Sequence, residues 1–336
     1  LGLISAVSSA DELASVLAHE LSHVTQRHIA RMIAQQGRQG PMVIGAMILG
    51  MLAASRTGNA SGMSAANAMM MGGPAAVMQS QLNFSRDMER EADRVGYGVM
   101  TEAGYEPQGF VTMFEKLQQA ARLNDNGAFP YLRSHPMTTE RISDAQARQQ
   151  LLTMRPPVAT SPMHAMMSAR AQVLAKPGVD TLRAIASRAN DTSLGADKKA
   201  KQAGVLYGAV MAEMQLRNFV AARQHLVRLQ SVSGLDINAI AGVRLLAAEL
   251  ALVSGDAPQA VALLEPKATQ LASTDRASRM LLARSRVATQ KAAQGKTATN
   301  ELSLWLSLHP RDASAWLLQA SAYELQGDAL RAIRAQ

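Results

Sequence analysis

Apolar positions recur at helical spacing along most of this chain, and the elements they predict are almost all helices. Ser9-Ala10-Asp11-Glu12 reads as a capping box, with Ser9 at the N-cap and Glu12 three residues on. Leu13, Val16, Leu17, Val24, Ile29, Met32 and Ile33 then keep one helical period until Gly37 offers a stop. Ahead of that cap, Leu1-Gly2-Leu3-Ile4-Ser5 looks like the tail of a strand. Two apolar runs follow, Met42–Ala54 and Met63–Met78, joined by a turn at Thr57–Gly62; the second is interrupted by Gly72-Gly73-Pro74. Both fall short of the roughly 20 residues a spanning helix needs. They read as a core hairpin of small-residue helices, a Met-rich lid, or a hairpin that dips into a membrane. A new helix opens near Asn83 and runs toward Gly104. After a turn at Tyr105-Glu106-Pro107, an amphipathic helix carries Phe110, Met113, Phe114 and Leu117 on its apolar face. A loop, Leu123–Arg133, leads to Ser134-His135-Pro136 and a helix from Thr138 that carries Arg141.

Prolines at Arg155-Pro156-Pro157 and Ser161-Pro162 break the pattern, so residues 151–162 read as a linker between domains spanning 1–150 and 163–336. Beyond the linker, Arg217-Asn218-Phe219, Gly255-Asp256-Ala257 and Gly327-Asp328-Ala329 each sit five residues before an alanine, namely Ala222, Ala260 and Ala332. The interval from Gly255 to Gly327 equals two units of about 36 residues, close to a tetratricopeptide repeat. The unit around Gln294-Gly295-Lys296 is out of register. Helix pairs of this kind stack into an α-solenoid with a concave binding face, and a non-repetitive bundle is the plainer alternative.

Composition adds three points. Charged residues are 18% and aromatics 4%, which with the helical pattern points to a mainly α protein. A net charge of +8 suits anionic surfaces, so peripheral membrane contact is expected. No basic stripe interleaves with aromatics, so nucleic acid is not expected as a partner. The absence of cysteine excludes disulfides and thiol catalysis and leaves histidine as the natural metal ligand.

The chemistry sits in the first predicted helix. His19-Glu20-Leu21-Ser22-His23 fits H-E-x-x-H, and four residues turn a helix through about 40°, so both imidazoles share one face and can grip one Zn²⁺. Glu20, beside the first ligand, is placed to take a proton from a water at the metal. A helical Glu is the expected third ligand. Glu89 and Glu91 lie about 200° apart, so only one can face the metal; Asp93, one turn beyond Glu89, would steady a ligand histidine, which favours Glu89. His28 lies nine residues from His19, about 180° round a continuous helix, and reads as a surface or packing histidine. His164, His225 and His309 have no partner at metal spacing and read as structural.

The run from Glu12 to His28, Ser85-Arg86-Asp87-Met88-Glu89 with Asp93, and Ser134-His135-Pro136 with Arg141 together resemble the M48 family of gluzincin peptidases, most closely its periplasmic Gram-negative members. The resemblance implies one zinc per chain on His19, His23 and Glu89, with Glu20 as general base. It implies that His135 lies near the metal, as a fourth ligand holding a latent state or as a donor to the transition state, and that Arg141 is a nearby cation in the catalytic machinery. It further implies a sheet beside the metal helix, most of it upstream of Leu1. The function that follows is a periplasmic zinc endopeptidase in outer-membrane protein quality control. Its expected substrates are unfolded or stalled β-barrels, and its repeats would bind the barrel assembly machinery. The rival readings are a non-proteolytic chaperone with a structural zinc and a membrane-embedded M48 peptidase.

Overall fold

The computed structural model describes residues 2–35, 37, 44–45, 48, 60–122, 135, 138–150, 161–190, 199–265 and 275–335. The protein is mainly helical, and no strand occurs among the described residues. It divides into two compact units, one of Ser9–Ala159 and one of Leu1–Ser8 with Thr160–Gln336.

The expected strand tail is helical. Residues Gly2–Ala6 form α1, which packs on α6 (Pro162–Leu174) within the second unit. Ser5 Oγ donates to Gly2 O at 2.8 Å, and Val7 is buried just beyond. An apolar run this short carries no period that separates strand from helix.

In the first unit, α2 (Ala10–Thr25) starts at the expected cap, where Ser9 Oγ accepts the Glu12 amide at 3.1 Å. The Glu12 carboxylate reaches Lys116 Nζ at 2.5 Å. The helix does not continue to Gly37. It ends at Thr25, Arg27 adopts φ +53°, and residues 28–35 form a new helical stretch. No glycine or proline marks this break. Leu17, Val24, Ile29, Met32 and Ile33, expected on a packed face, are exposed, and Val16 is buried.

The second apolar run and the helix expected from Asn83 are one element, α3 (Ala60–Glu102). Ala and Met, both strong helix formers, flank Gly72-Gly73-Pro74 on both sides and carry the helix through. The pairing of the two runs as a hairpin, a lid or a membrane-dipping segment rests on residues 42–59, most of which lie outside the described residues, as do the loop 123–133 and positions 151–160 of the linker. Among the described residues no helix is long and apolar enough to cross a membrane. Helix α4 (Gln108–Arg122) seals Phe110, Met113, Phe114 and Leu117, and Tyr97 of α3 meets the Phe110 ring edge-on. Helix α5 (Thr139–Gln150) completes the unit.

The second unit continues with α7 (Val179–Ser187), α8 (Lys199–Gln215), α9 (Phe219–Gln230), α10 (Ile237–Val253), α11 (Ala257–Leu264), α12 (Arg276–Ala288), α13 (Ala292–Leu308), α14 (Ala313–Leu325) and α15 (Ala329–Ala335). Helices adjacent in sequence pack on one another. The turns before α9, α11, α13 and α15 each contain one left-handed residue, at Arg217, Gly255, Gln290 and Gly327, spaced by 38, 35 and 37 residues. Ala222, Ala260 and Ala332, five residues after three of them, are buried. At the remaining turn the same place is held by Gly295, where an added Cβ would lie 3.1 Å from Ala322 O. The unit that looked out of register therefore turns at Gln290, with glycine standing where its neighbours have alanine.

Candidate metal centre

Three segments of the first unit converge on one point. Helix α2 supplies His19 and His23, stacked one turn apart with Nε2 atoms 3.0 Å from each other. Helix α3 supplies Glu89, whose Oε2 lies 3.5 Å from His19 Nε2 and whose Oε1 lies 3.4 Å from His23 Nε2. His135 supplies the third, with Nδ1 3.0 Å from Glu89 Oε1 and Nε2 3.4 Å from Glu20 Oε1. One ligand atom from each of His19, His23, Glu89 and His135 falls within 4.8 Å of all the others, an arrangement that can hold a metal ion.

The spacing suits zinc. Four ligands about 2.05 Å from a tetrahedral centre are separated by about 3.3 Å, close to the nitrogen–oxygen distances here. The donor set, imidazole and carboxylate without thiolate, is also one that zinc accepts. Glu20 Oε1 is shielded from solvent, with the His135 imidazole 3.4 Å away, beside the converging ligand atoms.

Charged neighbours hold the ligands in place. His19 Nδ1 lies 2.9 Å from Asp93 Oδ1, so its Nε2 is left toward the cluster. Asp93 is gripped by Arg141 through two contacts of 2.7 Å, and Arg141 Nη1 reaches Glu89 Oε2 at 3.0 Å. Arg141 is 4% exposed, and its guanidinium carbon lies 5.1 Å from the centre of the Phe114 ring, so the cation is fixed from two sides. Glu91 is not among the four converging residues; it meets His28 and Arg31, which follow α2.

The electrostatics follow from this crowding. Burial pulls the His23 imidazole down to about 4, helped by the neighbouring His19, so it is neutral at pH 7 and its lone pair is available. Burial pulls His19 down as well, but Asp93 and Glu89 outweigh it and its proton affinity is raised. Burial would raise Glu89; His135, His19 and Arg141 outweigh that and keep it well below the usual carboxylate range, hence ionised.

Backbone geometry sets the approach of α3 to α2. A Cβ added at Gly96 would lie 3.0 Å from His19 N and 3.1 Å from the Ala18 carbonyl. Only a glycine lets α3 come this close to the turn that carries the first histidine.

Of the residues singled out from the sequence, His19, His23, Glu89 and His135 are brought together, with Glu20, Asp93 and Arg141 around them. His164, His225 and His309 sit elsewhere in the second unit: His164 against Val7 O at 3.3 Å, His225 buried, and His309 with its ring 3.9 Å from that of Trp305. His28 is the residue that sequence reasoning misplaced. It is buried, and its Nδ1 lies 2.9 Å from His23 Nδ1.

Residues 1–149 match the model of peptidase family M48. This part of the chain belongs to that family. The β-barrel assembly-enhancing protease of Escherichia coli K12 is 38% identical over 151 residues, 45% of this chain and 29% of that protein. Its namesake in Yersinia pestis is 32% identical over 216 residues, 63% of this chain and 41% of that protein. The mitochondrial metalloendopeptidase OMA1 of Saccharomyces cerevisiae is 28% identical over 137 residues, 40% of this chain and 35% of that protein. The chain spans less than half the length of these relatives. The M48 region includes every residue of the candidate centre.

Proposed function

We propose that the protein is a zinc-dependent endopeptidase acting in the assembly and quality control of outer-membrane β-barrels. The observation that carries this is the convergence of His19, His23, Glu89 and His135 within 4.8 Å, with the Glu20 carboxylate beside them. His19, His23 and Glu89 would hold the ion. When bound, zinc supplies Lewis acidity to a peptide carbonyl and lowers the pKa of water. Glu20 takes the proton from the attacking water and returns it to the leaving amine. Asp93 and Arg141 fix the direction of His19 and Glu89, which makes Arg141 a positioning residue. A cavity of about 310 Å³, bordered by Leu82, Ser85, Glu89, Arg90, Thr138 and Arg141, adjoins the centre and is large enough for a substrate side chain.

The names of the relatives in Escherichia coli and Yersinia pestis support a role in β-barrel assembly; barrel substrates and a periplasmic site of action are what the sequence resemblance implies. The second unit is read as tetratricopeptide repeats whose concave face docks the assembly machinery. The recurrent left-handed turns and buried small residues at 222, 260, 295 and 332 favour this over an irregular bundle. Elemental analysis should find one zinc per chain. Chelation should abolish casein degradation and added zinc should restore it; proteolysis that survives complete removal of metal would sink the proposal.

His135 is read as a latch that fills the fourth position and withdraws when substrate arrives. His135→Ala should then raise basal proteolysis, including self-cleavage. A fall of about 10²–10³-fold in kcat would instead make His135 a donor to the developing oxyanion.

A further inference from the structure

We infer that His28 is a positioning residue for the metal centre: with Glu91 and Arg31 it fixes the tautomer and orientation of His23. This rests on His23 being a metal ligand, as proposed above. In a continuous helix His28 would lie about 140° round from His23, and the two could not touch. They touch because α2 ends at Thr25 and Arg27 takes φ +53°. A left-handed residue with a side chain is unfavourable by roughly 1–2 kcal/mol, and the chain adopts one here without glycine. What the turn gains is the return of His28 to the metal helix, with the side chain 2% exposed.

The contacts form one directed chain. His23 Nε2 faces His19 Nε2 at 3.0 Å and Glu89 Oε1 at 3.4 Å, so it is the ligand atom. The His23 proton then belongs on Nδ1, which lies 2.9 Å from His28 Nδ1. A His28 that accepts at Nδ1 carries its own proton on Nε2, and that atom lies 3.3 Å from Glu91 Oε2. Glu91 Oε2 in turn accepts from Arg31 Nη1 at 2.7 Å. Every donor in the series meets an acceptor, and only one tautomer of each ring satisfies it. His19 has the parallel arrangement, with Asp93 and Arg141 behind its Nδ1. Each ligand histidine is thus backed by its own carboxylate and arginine, but His23 reaches its pair through a second imidazole. A ligand held this way is more basic and loses less freedom on binding, which for such partners is worth about 10–100-fold in metal affinity.

The test is zinc affinity, measured by competition with a chromogenic chelator and corrected for the folded fraction. His28→Ala should bind zinc about 10–100-fold more weakly. His28→Asn, whose amide oxygen can accept from His23 Nδ1, should recover most of the loss. Should His28→Ala fail to fold, Glu91→Ala, which removes only the far acceptor, should still weaken zinc severalfold. Affinity within about twofold of the parent in the folded variants would overturn the inference. So would a loss that His28→Asn does not restore, which would mean packing alone. The parent protein reads the underlying assignment separately: a parent without zinc sinks the metal-site reading, whereas a parent with zinc and an equally tight His28→Ala sinks only this one.

Discussion

Glu20→Gln should leave zinc content and fold intact and reduce peptide hydrolysis by about 10²–10⁴-fold, the usual contribution of a positioned general base. The amide is nearly isosteric with the carboxylate, and the Glu20 side chain is 43% exposed, so the exchange disturbs little packing. Glu20 is not among the four residues whose ligand atoms converge, so the donor set survives. What is lost is the only feature that a structural zinc site would not need: a carboxylate beside the metal that can accept and return a proton. The measurement pairs elemental analysis with casein or barrel-protein degradation. Full zinc occupancy with undiminished proteolysis would remove Glu20 from the mechanism. A parent that binds zinc but does not cleave would favour the chaperone reading.

Glu89→Gln should produce the largest loss of metal, more than the roughly 100-fold expected of any supporting residue. Glu89 is 5% exposed and ionised, held so by His135, His19 and Arg141, and a neutral amide offers zinc neither the charge nor the same donor. Arg141 keeps Asp93, so the variant retains a partner for its buried cation. The zinc-induced rise in melting temperature, which follows from binding to the folded state alone, should therefore be clear in the parent and absent in Glu89→Gln. Glu91→Gln should change zinc affinity little, because its amide oxygen still accepts from His28 and Arg31. A larger loss in Glu91→Gln than in Glu89→Gln would reverse the assignment of the third ligand.

Local periodicity made much of the first unit legible. The cap at Ser9 follows from its side-chain chemistry and the shared face of His19 and His23 from about 100° per residue, and the structure has both; of Glu89 and Glu91, only Glu89 falls in the converging set. The break at Arg27 was not legible, because no glycine or proline marks it and the contacts His28 makes beyond the bend are with His23 and Glu91, the latter 63 residues away. The same limit hid the continuity of α3 through Gly72-Gly73-Pro74, where flanking propensity outweighs three unfavourable residues. In the second unit, three of four turns were visible from their glycine, asparagine or aspartate. The fourth, at Gln290-Lys291, has neither a glycine nor a capping side chain, and its alanine is replaced by Gly295. The position of His135 beside Glu89 and Glu20 depends on tertiary packing; from its own loop it looked unremarkable.

Gly96 bears on how this protein could be engineered. Replacing helix-interior glycines by alanine is a standard route to thermostability, worth up to about 1 kcal/mol each where the backbone allows it. Applied here by rote, that rule would select Gly96, since it lies mid-helix at an ordinary helical φ. The added methyl group would press on main-chain atoms of Ala18 and His19, which cannot swing aside as a side chain can. Relief would come from parting the two helices whose separation sets the distance between the histidine pair and Glu89. A heat-resistant variant made at this position would trade the metal-binding geometry for its melting point, so a stabilised form of the protein should be built from other glycines, such as the half-buried Gly98, beside which the same methyl group would meet nothing within 4 Å.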